Sequence, residues 1–413
     1  LSEDVTEAKV EGPEVLERVA RAARLREGPA GVAAFLRVLY RQSPLPTQEL
    51  ARRLGWPVPV TAAVRGELER AGLLRRMPGG SALSESGRAF VQEALGLGAT
   101  VDPLCPTCAG RRIVVDSARW GPLLACLEEA YRANPPVDTT LDQSHGLPET
   151  ALRRALLMHH EGALEGKDLL LLGDDDLVSV AVGLLGREGV GIRDQGLGAG
   201  ETGWVRRLVV VDVDGRFLEH IAAAGRRWGF AVETVQHDLR EPLPDALREA
   251  FDTVETDPPY TLPGLRLFLS RALEALRPGG GRDIFLSYAP RDPEGQRALL
   301  RECVELGLAP YSVTPDFNRY VGTGTLGGSG QMLHLRTTPE ARPALSGRYA
   351  GPLYTMEVHP AERLYRCSAC GSLFRVGPGG DFATIEQLKS HGCPRCGGKT
   401  FRIRKKISSP RSR

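Results

Sequence analysis

Between residues 167 and 307, short and almost wholly apolar runs alternate with longer segments whose apolar positions recur every three or four residues. "KDLLLLGDDD" precedes "LVSVAVGLLGRE", and "RRLVVVDVD" precedes "GRFLEHIAAAGRRWG". "FDTVETDPPY" precedes "GLRLFLSRALEALRPGG", and "RDIFLSYAP" precedes "PEGQRALLRECVELG". A further strand pattern, "AVETVQHDL", lies between the second and third of these pairs. Runs that are apolar on both sides of the pleat predict strands buried on both faces, and the alternation with helices predicts an α/β domain on a parallel sheet spanning 166–338. Ligands of such sheets lie beyond the carboxyl ends of the strands. The acidic residues fall there. Asp174, Asp175 and Asp176 follow the first strand, Asp212 ends the second, Asp238 follows the third and Asp257 ends the fourth, so one shared site is expected.

The flanks carry different patterns. Residues 1–95 are helix-prone and have the order of a winged helix: a helix ending before "SPLPT", a second over "QELARRLG", a third over "PVTAAVRGELERAGLL", then a hairpin turning at Pro78-Gly79-Gly80. The third helix offers only Arg65 and Arg70 beside Glu67 and Glu69, few cations for a helix that reads a DNA groove. Packing or dimerisation is the expectation for this unit. Residues 96–165 read as a connector with helices and one CxxC pair, Cys105/Cys108, for which a metal, a reactive dithiol and a simple turn all stay open. His145, His159 and His160 have no acid at ligand spacing and are assigned packing or surface roles. "GLGAGETGW" precedes a strand instead of joining a strand to a helix, so it reads as a flexible insertion rather than a nucleotide loop.

The last segment, 339–413, combines a Pro/Arg-rich linker with "YRCSACGSLFRV" and "HGCPRCGGKTFRIRKK". Cys367/Cys370 and Cys393/Cys396 form two CxxCG knuckles separated by 22 residues, the requirement of a zinc ribbon. Four thiolates leave no open position on a tetrahedral Zn²⁺, so the metal is expected to be structural and to supply folding energy of about 10–16 kcal/mol. The basic end, "RIRKKISSPRSR", leaves a nucleic-acid contact open.

Composition adds a few limits. The chain has 413 residues, 42% hydrophobic and 25% charged, with a net charge of +2, which suits a globular protein and gives no global sign of a polyanion partner. No apolar run reaches the roughly 18 residues of a membrane span, and a cytoplasmic location is expected. Lysine occurs only six times, leaving arginine as the main cation, a pattern of high-GC and thermophilic sources. Cys126 and Cys303 lie in helix-like apolar contexts and read as small buried residues.

The order of strands, acids and "DPPY" resembles the class I, Rossmann-like fold of S-adenosylmethionine-dependent transferases. That resemblance implies Asp212 at the donor's ribose, Asp238 at its adenine, and Asp257-Pro258-Pro259-Tyr260 around a nucleophilic amine. Methyltransferases of this class have a glycine-rich first turn where the donor's own carboxylate approaches. Here the turn is Gly173-Asp174-Asp175-Asp176, and one carboxylate pair at ~4 Å costs on the order of 4 kcal/mol. A donor without its carboxylate and a cationic acceptor remove the conflict. "LLLLGDDD" with "DPPY" resembles the branched-chain polyamine synthase family, over at least residues 31–338. The resemblance implies aminopropyl transfer from decarboxylated S-adenosylmethionine, a co-substrate rather than a cofactor, to the central N4 nitrogen of spermidine. The products would be N4-aminopropylspermidine and then N4-bis(aminopropyl)spermidine, with 5'-methylthioadenosine released. Asp174, Asp175 and Asp257 are the expected catalytic acids, with Tyr260 beside the acceptor. Gly173 and Asp176 join Asp212 and Asp238 on the donor side, Asp176 at its terminal ammonium. A homodimer is the expected assembly. The competing reading is an amino-methyltransferase of DNA or RNA.

Overall fold

The computed structural model describes residues 12–96, 105, 107–188, 204–321, 328–358, 361–377 and 380–408. The insertion expected at 196–204 therefore lies outside the described residues but for Trp204, as does the end of the basic tail from 409 onward.

The chain opens with four helices, α1 (Gly12–Ala22), α2 (Gly28–Arg41), α3 (Thr47–Leu54) and α4 (Val58–Arg70). The hairpin β1 (Leu74–Met77) and β2 (Gly80–Leu83) follows, then α5 (Glu85–Ala94). A bridge from Leu45 to Ser81 ties the segment before α3 to the hairpin. Phe35, Leu36, Leu39, Leu50, Val64 and Leu68 close this unit's own core. Arg65 lies 3.4 Å from Glu69 and Arg70 2.6 Å from Glu67, so the cations of α4 are engaged by its own acids.

Two helices, α6 (Ser117–Arg132) and α7 (Pro148–His160), lead into the sheet domain. Its elements are β3 (Lys167–Leu172), α8 (Val178–Glu188), β4 (Val205–Asp212), α9 (Gly215–Trp228), β5 (Glu233–Gln236) and β6 (Thr253–Thr256). Then come α10 (Leu262–Ala275), β7 (Asp283–Tyr288), α11 (Pro293–Glu305), β8 (Leu308–Arg319) and β9 (Ser329–Thr337). The seven strands order as β5-β4-β3-β6-β7-β9-β8. All neighbours pair in parallel except β9, which runs against both β7 and β8. This departs from the all-parallel expectation for a physical reason: nine residues separate β8 from β9, fewer than the dozen or more a parallel crossover needs, so the two pair antiparallel.

The strand pattern also explains the layers. Leu169 and Leu171 join one core with α6, α7, α8 and α9, whereas Leu170 and Leu172 join the other with α10 and α11. The helices α6 and α7, expected in a connector, thus cover one face of the sheet. Order reverses between β3 and β6, the place where the exits of adjacent strands open a crevice. The end of the chain holds α12 (Thr355–Val358), β10 (Ala361–Cys367), β11 (Leu373–Val376), α13 (Ile385–His391) and β12 (Phe401–Ser408), the last three strands forming a sheet of order β11-β10-β12. No helix among the described residues is long and apolar enough to cross a membrane.

The contact of α8 with the end of α9 is tight. A Cβ added at Gly183 would stand 2.3 Å from the Phe230 ring. Gly183→Ala is expected to cost about 1–3 kcal/mol through overpacking, read as a lower Tm. An unchanged Tm would mean that Phe230 has room to swing away.

Candidate active site

The crevice at the reversal is a cleft of about 740 Å³, counting the space at its mouth that is open to solvent. Five aspartates line it, Asp142, Asp175, Asp212, Asp238 and Asp257, and among the described residues no lysine or arginine does. Gly173, Tyr260, Phe268 and Tyr354 complete its walls.

The three consecutive aspartates separate by role. Gly173 turns the chain off β3 at φ +78°, and Asp174 then caps α8, accepting from the amides of Val178 at 2.6 Å and Ser179 at 3.0 Å. Its carboxylate is spent on the helix and does not line the cleft. Burial pushes the Asp174 carboxyl up to about 7 against the pull of those amides. Asp176 is also buried behind the cleft wall, its Oδ1 accepting from the Gly146 amide at 2.5 Å and its Oδ2 2.9 Å from Arg154. Burial pushes it up to about 7, with the Arg154 guanidinium pulling the other way. Asp175 alone reaches the cleft, steadied by the Ser144 amide at 3.0 Å. Burial, then the charges of Asp176, Asp212 and Asp257, hold its carboxyl well above the usual range.

The segment before α7 grips this turn. The Tyr131 hydroxyl donates to the Asp176 carbonyl, and the Asn134 amide reaches the Asp175 carbonyl at 3.4 Å. At the end of β4, Asp212 accepts from the amides of Asp174 at 3.2 Å and Asp214 at 2.8 Å, which leaves further lone pairs for the cleft it lines. Asp238, fixed by the Arg240 amide at 2.9 Å, stands on the same wall.

Asp257 ends β6, and Pro258 and Pro259 carry the chain to Thr261, whose hydroxyl caps α10 by accepting from Gly264 at 2.9 Å. One oxygen of Asp257, Oδ2, accepts from Tyr320 at 2.7 Å and Arg154 at 2.9 Å. The other, Oδ1, is buried without a hydrogen bond. Tyr260 meets the ring of Tyr288 edge-on at 5.2 Å, and its hydroxyl donates to Tyr320 at 3.2 Å.

Arg154 on α7 was not among the expected site residues. It is 1% exposed and reaches Glu255 at 3.2 Å, Asn318 at 2.9 Å, Ser287 at 3.0 Å and Tyr320 at 2.8 Å besides Asp176 and Asp257. Glu255 was missed as well. Its signal was the strand period, since it lies two residues before Asp257 and so shares its face. Burial holds the Glu255 carboxyl well above the usual range, opposed by Arg154. Tyr354, from the segment expected as linker, was a third omission. Of the histidines, His145 contacts the Pro135 carbonyl at 2.9 Å, and His159 lies 2.5 Å from Glu165, an acidic neighbour that the sequence spacing did not announce.

Away from the cleft, the sulfurs of Cys367, Cys370, Cys393 and Cys396 lie within 4.8 Å of one another, with Cys367–Cys396 at 3.6 Å and Cys370–Cys393 at 3.5 Å. Four thiolates about 2.3 Å from a common tetrahedral centre would have separations of this size.

Comparison with known proteins agrees with this geometry. A family profile described as the branched-chain polyamine synthase A C-terminal domain matches residues 123–335. The chain belongs to the branched-chain polyamine synthase family. Within that family, an N(4)-bis(aminopropyl)spermidine synthase of Thermococcus kodakarensis is 33% identical over 275 residues, 65% of this chain and 72% of that protein. An uncharacterised protein of Methanocaldococcus jannaschii is 34% identical over 399 residues, 95% of this chain and 93% of its own. The branched-chain polyamine synthase of Thermus thermophilus, solved with N4-aminopropylspermidine and 5'-methylthioadenosine, superposes with a TM-score of 0.62 at 26% identity, covering 84% of this chain and 99% of that one. The match begins inside α6, which agrees with the packing of α6 and α7 onto the family's sheet.

Removing Arg154 leaves three buried carboxyls without their cation. Arg154→Met is expected to cost about 3–5 kcal/mol. Carboxyls whose folded pKa is raised add stability that is complete at low pH and is lost as pH rises through the folded value, near 7 for Asp176. The variant's deficit in urea unfolding should therefore be larger at pH 8 than at pH 6. Equal deficits would show that Arg154 does not neutralise this cluster.

Proposed function

We propose that the cleft transfers aminopropyl groups from decarboxylated S-adenosylmethionine to the N4 nitrogen of spermidine, first giving N4-aminopropylspermidine and then N4-bis(aminopropyl)spermidine. The observation that carries this reading is the cleft wall of five aspartates, with no lysine or arginine among its described residues. Such a wall concentrates a polycation and repels both a donor carboxylate and a phosphodiester chain. It therefore disfavours methyl transfer to nucleic acid.

The roles proposed here rest on the family resemblance, with the geometry in support. Asp212 and Asp238 receive the donor's ribose and adenine, with Gly173 giving the backbone close access. The free Oδ1 of Asp257 accepts the N–H of the neutral secondary amine, while Tyr320 and Arg154 fix Oδ2. Tyr260 walls the acceptor, and Asp175 faces its charged arms. The nitrogen lone pair attacks the carbon bonded to the sulfonium, and the C–S bond breaks. Its electron pair leaves with sulfur as 5'-methylthioadenosine, and the amine proton passes to Asp257 or Asp175. In the second transfer the tertiary nitrogen has no proton to lose, so positioning and negative potential act alone. Asp174 and Asp176 enter as positioning residues, because their carboxylates are held by α8 and by Gly146 and Arg154.

The same proposal includes the organisation of the chain. Residues 1–95 form a winged-helix-like unit whose paired α4 arginines suit packing rather than DNA reading. Residues 96–165 serve the catalytic domain of 166–338, and 339–413 carry a linker and a zinc ribbon in which Cys367, Cys370, Cys393 and Cys396 hold a structural Zn²⁺. We assign the enzyme to the cytoplasm, where these thiols stay reduced.

Two experiments test these readings. Incubation with spermidine and decarboxylated S-adenosylmethionine should give mass additions of one and two aminopropyl units, and intact S-adenosylmethionine should give none. Asp257→Asn should lower the rate about 10²–10⁴-fold. Growth of no product with spermidine would overturn the reading. For the ribbon, a chelator strong enough to strip zinc should erase the protection of β10–β12 in hydrogen exchange while leaving the seven-stranded sheet protected. Full protection after metal loss would remove zinc from the account.

A further inference from the structure

The ribbon's knuckles share a backbone signature that recurs elsewhere in the chain. In the first, the Gly371 amide donates to the Cys367 carbonyl at 3.0 Å with Gly371 at φ +77°. In the second, the Gly397 amide donates to the Cys393 carbonyl at 2.7 Å with Gly397 at φ +69°. Each glycine directly follows its second cysteine. Ala109 holds that position after Cys105 and Cys108, and its amide donates to the Cys105 carbonyl at 2.7 Å with φ +48°. An alanine takes this left-handed conformation only at a steric cost, so more than local preference sets the turn.

The turn is anchored to the catalytic domain. Arg111 reaches Asp316 at 3.3 Å, Arg112 reaches Glu161 at 3.1 Å, and Ile113 and Val115 pack against the sheet's core. Cys105 is exposed, and among the described residues no third Cys, His, Asp or Glu groups with the pair. The knuckle is built and presented, yet supplies two of the four ligands of a tetrahedral metal.

We propose that Cys105 and Cys108 are half of a second structural zinc site, completed by the same pair from a second copy of the chain. A twofold interface brings identical residues together, so a fixed pair near the axis meets its own image and yields four thiolates. The metal would then serve as the bond between subunits, independent of the cleft's chemistry and of the ribbon's metal.

The test compares the zinc-to-chain ratio of the purified full-length protein with that of the Cys105→Ser/Cys108→Ser variant, with molar mass measured by light scattering. The expected result is a dimer whose zinc content falls by about half an equivalent per chain in the variant, together with loss of the dimer. No difference in zinc overturns the site. A difference of about one equivalent per chain overturns the sharing, since each chain would then complete its own site. If the variant does not fold, metal-free wild type titrated with Co²⁺ gives the same answer. Thiolate-to-cobalt absorbance should then saturate at about one and a half equivalents per chain as the mass doubles. Saturation at one or two equivalents refutes the proposal.

Discussion

The buried guanidinium of Arg154 is the constraint on which the site rests. It lies among Asp176, Glu255 and Asp257, one cation against three carboxyls, with Asn318, Ser287 and Tyr320 filling its remaining hydrogen-bonding positions. These partners come from the turn after β3, from β6, from β7 and from the end of β8, so one side chain fixes the relative heights of the strand exits. Buried ion clusters of this kind are seldom the cheapest way to fill space, because desolvation offsets most of the attraction. Here the arrangement leaves negative potential directed at the cleft. The protein side of a cationic ligand's site is thus already organised before the ligand arrives.

Raised carboxyls follow from the same arrangement. Asp174, Asp175, Asp176 and Glu255 all sit where burial disfavours charge. The repulsion implied by three adjacent aspartates is relieved by spreading them over three environments: a helix N-terminus, a cleft and a guanidinium. The inference that the turn as a whole excludes a donor carboxylate therefore applies chiefly to Asp175, the member that reaches the cleft.

Much of this was legible in the sequence. The apolar runs and their helical successors identified the strands, and the acids at their exits located the cleft. Arg154 was not legible, because "ALRRALLMHH" reads as an amphipathic helix with an arginine pair on its wet side, whereas both arginines are buried under β8. Helical periodicity cannot report which face meets a charged cavity rather than solvent. The fates of Asp174 and Asp176 depended on where α8 begins and on an amide at Gly146, neither of which local pattern encodes. Tyr354 reaches the cleft through a return of the chain after β9 that no periodicity announces.

The reach of Arg154 along the chain bears on how the protein is made. Its partner Tyr320 lies 166 residues away, and Glu255 lies 101 residues away. On the ribosome, α7 emerges long before the strands that neutralise its guanidinium, so it stays wet until β8 has left the exit tunnel. Assembly of the acidic cleft is thereby deferred until β8 and Tyr320 have emerged. A nascent chain that stops short of β8 has no finished cleft to hold a polycation.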